Sequence, residues 1–247
     1  MSDAPALQTR NAQGFRERGA QVTRLEAFVD AAFAFAVTLL VISFDGLPTN
    51  VDELVLAYKG IPAFAASFVL LAGFWRAHER WSRWYGLDDG HSTTLSLLLV
   101  FLVLVYVYPL RMLFGGFFDF VSAGALPAEY VVRGAVDLRW MFGSYAVAYG
   151  SLATVVLLLY RHAWTCRAQL GLDAGERVQT RLTMLRWGIT IFVSAVSLAL
   201  TFMIGSVIRG GWLVSLPGLI YFLMFLNFPL LRWGERRWRT QEGLPPA

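Results

Sequence analysis

With 247 residues, 57% of them hydrophobic and 15% charged, and a mean hydropathy of +0.54, the chain carries more apolar surface than a soluble domain of this size can bury. The class that remains is a polytopic, all-α membrane protein, since a bilayer admits only segments that satisfy their own backbone. The formal charge of +4 comes almost wholly from arginines spread between apolar runs, which excludes a nucleic-acid patch, and the single cysteine, Cys166, excludes an intrachain disulfide and a multi-cysteine metal site.

The chain opens on MSDAPALQTRNAQGFRERGA, a polar stretch with no short apolar core before a small-residue cleavage site. No signal peptide is expected, and residues 1–23 read as a cytoplasmic segment. Apolar runs then predict six membrane helices, at roughly 25–44, 61–77, 93–114, 141–160, 188–208 and 212–231. The second ends in the charged, aromatic run WRAHERWSRWY. The loop at 161–187 has room for a short cytoplasmic helix. The sixth run carries Pro217, Asn227 and Pro229, which predict a kink or an early end. The membrane domain is bounded at 24–232, and 233–247 forms a C-terminal tail.

Basic residues orient the set. Arg10, Arg16, Arg18 and Arg24, the 2–3 loop (Arg76, Arg80, Arg83), the 4–5 loop (Arg161, Arg167, Arg177, Arg181, Arg186) and the tail (Arg232, Arg236, Arg237, Arg239) fall on one side. Only Lys59, Arg111, Arg133, Arg139 and Arg209 fall on the other. The positive-inside rule therefore puts both termini in the cytoplasm, in agreement with an even number of spans. Tryptophans at most span ends form the expected interfacial belt.

Catalytic and metal motifs are missing. His78-Glu79 starts like HExxH, but the second ligand position is Ser82. No nucleophile elbow, phosphate loop or dinucleotide fingerprint occurs, so no enzyme, cofactor or metal is expected. A carbonyl filter and a voltage-sensor arginine series are also missing.

Charge does appear at the start of the first span, RLEAFVDAAFAFAVTLLVISFD, residues 24–45. Ionisable residues at that level, Arg24, Glu26 and Asp30 with His78 and Glu79, need partners or a task. On a helix, Ala31, Phe35, Thr38, Ile42 and Asp45 share one stripe, with small residues beside it that permit close helix approach. Spacing alone leaves two readings open. The stripe faces lipid or another helix, or it lines a pore in a ring of subunits. Asp45, Asp52 and Glu53 beyond the span are either solvated loop charges or acids that concentrate cations.

Arg24, Phe28 and Asp30 in RLEAFVD, followed by FAFAVTLLV, resemble the R-x-x-x-F-S-D signature of the transmembrane protein 175 potassium channels. FWRAHERW at 74–81 resembles that family's ending of the second helix, and VYPLRMLF at 107–114 its proline-containing outer end of the third. The resemblance covers three spans in detail and the others by topology. It implies a single six-helix unit of the bacterial type, multi-pass in the inner cell membrane, that self-associates as a homotetramer with the first helix lining the pore. It further implies a constriction at Phe35, a hydroxyl tied to potassium preference at Thr38, and hydrophobic layers at Leu39 and Ile42. Arg24, Phe28 and Asp30 would join Trp75 and His78 in a cytoplasmic-side network. The motif serine is Val29 here, and the usual branched aliphatic of the constriction is Phe35. The function expected is passive, potassium-permeable leak through that pore. The alternatives are a proton-conducting or proton-coupled transporter, resting on His78, Glu79, Glu26 and Asp30, and a diverged scaffold that conducts nothing.

Overall fold

The computed structural model describes residues 10–11, 14–42, 49–128, 132–204 and 212–245. The helices are α1 (Arg24–Ile42), α2 (Val51–Lys59), α3 (Ile61–Tyr85), α4 (Gly90–Val121), α5 (Ala135–Thr165), α6 (Ala174–Met203), α7 (Leu216–Leu219) and α8 (Asn227–Gln241). Among the described residues there is no strand. Five helical stretches are long and apolar enough to cross a membrane: α3, α4, α5, α6 and the run Leu213–Gln241. With 19 residues, α1 spans about 28 Å, close to the hydrocarbon thickness, and holds Arg24, Glu26 and Asp30 in its first two turns.

The helices outrun the apolar segments that predict them. α3 continues through WRAHERWSRWY to Tyr85, so Arg76, Arg80 and Arg83 sit on a helix and not in a loop. The 161–187 region holds no separate short helix. α5 runs to Thr165, and α6 begins at Ala174 after a turn. Residues 51–59, which carry no apolar run of membrane length, form α2. Glu53 accepts from the Thr49 amide and hydroxyl and from Asn50 Nδ2 at its start, and so acts as a local cap.

Local chemistry explains the ends. Asp173 Oδ1 accepts from the Glu176 amide at 2.9 Å while Glu176 Oε2 accepts from the Asp173 amide at 3.0 Å, a reciprocal capping box on α6. Asp89 caps α4 in the same way through Ser92. Gly86 ends α3 with φ +58°, and a Cβ there would lie 2.9 Å from the Arg18 backbone. Both the left-handed turn and the close approach of the N-terminal segment require glycine.

Asp89 has a second partner in His162, its Oδ2 lying 2.6 Å from Nε2. Burial would raise the Asp89 carboxyl. The His162 contact and the Ser92 amide outweigh it and hold the carboxyl down at about 2, against an ordinary 3.8. Its contribution is therefore fully present above about pH 4 and is lost as pH falls towards 2. Asp89→Ala is expected to cost about 1 kcal/mol at neutral pH through the lost cap. Thermal melts should show the gap between variant and native protein closing as pH drops through that window.

The core sits where α3, α4, α5 and α6 meet. Trp81 Nε1 donates to the Leu159 carbonyl at 2.9 Å, and the Tyr85 and Thr180 hydroxyls are bonded at 2.8 Å. α5 and α6 approach closely, Gly150 allowing contact with Ser194, where an added Cβ would lie 3.1 Å from the serine Cβ. Serines and threonines on α6 return their hydroxyls to the i−4 carbonyl, as Thr190, Ser194 and Thr201 do. Ser197 instead donates to the Pro217 carbonyl at 2.8 Å. That bond supports the stretch from Trp212 to Leu226, where two 3₁₀ segments flank α7. Irregular backbone at membrane depth is tolerable when protein supplies the missing partners, and Pro217 sits in the first turn of α7, where a missing amide proton costs least.

Candidate functional site

α1 packs against α3 and α4. Glu26, Val29, Phe33, Ala36 and Leu40 are buried on that side. The opposite side, through Ala27, Phe28, Ala31, Ala34, Phe35, Thr38 and Val41, is exposed along the length of the helix. Phe35 is 56% exposed at its middle. Ala31, Phe35 and Thr38 of the predicted stripe thus share a face that no other described element of the chain covers. Leu39 is half-buried beside it. The Ile42 side chain and Asp45 lie outside the described residues. Thr38 Oγ1 donates to the Ala34 carbonyl at 3.0 Å, which uses its proton and leaves its oxygen as an acceptor on the exposed face.

The charged start of α1 is built from several small contacts. Thr23 Oγ1 accepts from the Glu26 amide at 3.1 Å and caps the helix. Trp75 Nε1 donates to Asp30 Oδ1 at 2.7 Å, tying α1 to α3. One turn further along α3, buried His78 is bonded through Nε2 to Ser96 of α4 at 2.9 Å. Asp30–Trp75 and His78–Ser96 are separate hydrogen bonds carried by neighbouring turns of α3. Arg24 and Phe28 are exposed, and among the described residues no ion pair joins Arg24 to Asp30. Val29, at the motif's serine position, is fully buried in the apolar core. Among the described residues no group of three or more His, Cys, Asp or Glu is placed to hold a metal ion.

Two arginines that the sequence reading counts as outer charges have structural tasks at the other end of the bundle. Arg111 on α4 is 4% exposed, and its Nη1 donates to the Leu40 carbonyl at 2.7 Å. Leu40 lies in the last turn of α1, so the guanidinium donates to a carbonyl near the helix end and complements the helix dipole. Arg139 on α5 repeats the device, donating through Nε at 2.6 Å and through Nη2 to the Ile204 carbonyl that follows α6. The signal in the sequence is an arginine inside an apolar run, VYPLRMLF, which predicts a partnered buried charge.

These features define a class: a multi-pass helical membrane protein whose first helix is fixed at both ends and bare along one face. The family model described as endosomal/lysosomal potassium channel TMEM175 matches residues 24–109, which run from α1 into α4. A potassium channel of Marivirga tractuosa is 29% identical over 194 residues, covering 76% of this chain and 77% of its own length. The crystal structure of a threonine-to-alanine variant of the potassium channel MtTMEM175, bound to a nanobody–MBP fusion, superposes with a TM-score of 0.78 and 26% identity over 90% of this chain and 97% of that one. The structure described as a lysosomal potassium-selective channel TMEM175 homolog from Chamaesiphon minutus shares the fold, with a TM-score of 0.56 and 23% identity over 84% and 96% of the two chains. The resemblance read in RLEAFVD, FWRAHERW and VYPLRMLF is to this family, and the likeness in fold extends past residue 109 to nearly the whole chain. These relatives bear the names of ion channels, not of enzymes.

Proposed function

We propose that the chain is the subunit of a potassium-permeable leak channel of the bacterial inner membrane. Six membrane helices, α1 among them, cross the bilayer with both termini cytoplasmic, and four copies assemble with α1 around a central axis. The observation that carries this reading is the bare face of α1. A helix held by Trp75 at one end and Arg111 at the other has no evident reason to leave Phe35 and Thr38 uncovered within the subunit. Copies meeting around an axis place a ring of phenyls next to a ring of threonine oxygens about 4.5 Å further along. The phenyls and the layers at Leu39 and Ile42 form hydrophobic constrictions, and the hydroxyls offer acceptor oxygens to a dehydrating cation. Arg24, Phe28, Asp30, Trp75 and His78 set the helix at its cytoplasmic end.

The test is flux from the purified protein in liposomes under a potassium gradient, with sodium in its place as comparison. Potassium flux well above sodium flux is expected. Proton flux without potassium flux points to the transporter reading, and the absence of any flux from a folded, inserted protein to the scaffold reading. Either result overturns the proposal.

A further inference from the structure

On the side of the bundle away from α1, a cleft of about 390 Å³ opens between α3, α5, α6 and the start of α8. α3 and α6 run antiparallel across it, since Tyr85 meets Thr180 while Phe74 stacks on Trp187 at a ring separation of 5.5 Å. Its lining changes from basic to mainly apolar, with Thr183, Thr190 and Asn227 also among the lining residues. At one end it is lined by Arg76 and Arg80 of α3 and Arg186 of α6; deeper in, by Val69, Leu70 and Phe74.

At that end Arg76 and Arg186 are exposed and Arg80 is half-buried, and no acidic residue lines the cleft. Among the described residues none of the three forms an ion pair. Glu79, the acid nearest in sequence, is taken by Arg83 at 2.6 Å. Arg80 is held in place over the Trp84 ring, at 5.6 Å from its centroid. Like charges gathered at the mouth of an apolar slot repel one another unless an anion lies between them. The fork geometry of arginine suits a phosphate, and the apolar floor suits hydrocarbon.

We propose that the cleft is a binding site for an anionic phospholipid, its phosphate held between Arg76, Arg80 and Arg186 and the start of one acyl chain laid along Val69, Leu70 and Phe74. Basic pockets between membrane helices with an apolar continuation bind such headgroups. Only a lipid fills both halves at once; free phosphate satisfies the arginines alone. The site is independent of the α1 face and of whether the protein conducts.

The experiment uses the full chain in detergent and native mass spectrometry to compare dioleoylphosphatidylglycerol with dioleoylphosphatidylcholine, which share their tails and differ in headgroup charge. The native protein is expected to retain the glycerol lipid about tenfold more tightly or better, and Arg76→Gln with Arg186→Gln to remove most of that preference. Gly73→Leu tests the apolar half separately. Gly73 lines the cleft with nothing within 4 Å of an added Cβ, so the substitution fills the slot without a backbone clash and leaves the arginines in place. It should reduce retention of the glycerol lipid comparably. Equal retention of the two lipids by the native protein overturns the proposal, as does undiminished retention by Gly73→Leu, including where the arginine variant fails to fold. Displacement of the lipid by millimolar inorganic phosphate also overturns it, in favour of a soluble-anion site.

Discussion

Phe35→Ala is expected to raise potassium flux through reconstituted protein by about tenfold or more, which corresponds to about 1.4 kcal/mol taken off the permeation barrier. Phe35 stands on the uncovered face of α1 and is 56% exposed, so removing its ring leaves no cavity within the subunit. Fold and insertion should survive. In the proposed assembly, what changes is the width and wetting of the constriction that four phenyls would make around an axis, because hydrophobic gates close by dewetting. Thr38 keeps its bond to the Ala34 carbonyl, so the acceptor ring is retained and the gain in flux need not sacrifice preference for potassium. Stopped-flow fluorescence on liposomes of matched protein content is the measurement. Unchanged flux from a variant that remains folded and tetrameric removes Phe35 from the gate.

The apolar runs mark most of the bundle in the sequence because hydrocarbon thickness dictates their length. They end too early at 77 and begin too late at 188. Hydropathy stops where arginine and glutamate begin, whereas the helix stops where its caps are. Asp173 with Glu176, and Gly86 with φ +58°, set the real boundaries, several turns into the charged region. The end of α3 stays helical because it buries Trp81, Trp84 and Tyr85 on one side while Arg83 stays exposed on the other. α2 has no apolar run of membrane length to announce it; it follows from an Asn50 cap and a first turn of Asp52 and Glu53.

At the site, periodicity places Ala31, Phe35 and Thr38 on a common stripe, but spacing cannot say what that stripe faces. The buried set from Glu26 to Leu40 shows which side of α1 packs on α3 and α4, and that packing leaves the stripe uncovered within the subunit. The contact between Asp30 and Trp75 links residues 45 positions apart, and it is legible only through family resemblance. The counting of positive charges treats Arg111 and Arg139 as topology signals. Their side chains instead close helix ends, which is a long-range property invisible to a count.

Glu176→Ala is expected to release the N-terminal segment from the bundle, with a local cost of about 3–5 kcal/mol. Glu176 is 1% exposed and gathers two guanidinium groups: Arg18 Nη2 at 2.7 Å and Arg16 Nη2 at 3.2 Å from Oε2. Its Oε1 also accepts from the Arg16 amide at 2.9 Å. Arg18 is itself only 10% exposed, so removing the carboxylate strands a buried cation as well as losing a pair. Phe15, fully buried and stacked on Trp84 at 4.3 Å, is the apolar half of the same clasp. Glu176→Ala also removes one half of the α6 capping box, but Asp173 still accepts from the residue 176 amide, so the opening should be local and not global. A global melt is therefore a poor measure; trypsin cleavage after Arg16 and Arg18 is a direct one. The rate should rise by about two to four orders of magnitude in the variant, as the open population does. Glu176→Gln, which keeps the shape and one acceptor, should fall between variant and native protein. Native-like protection in Glu176→Ala would show that Phe15 alone holds the segment. The consequence for α1 is positional: Gly19 is fixed to the Arg83 carbonyl at 3.0 Å only five residues before α1 begins, so the clasp determines where the first turn of the proposed pore helix sits.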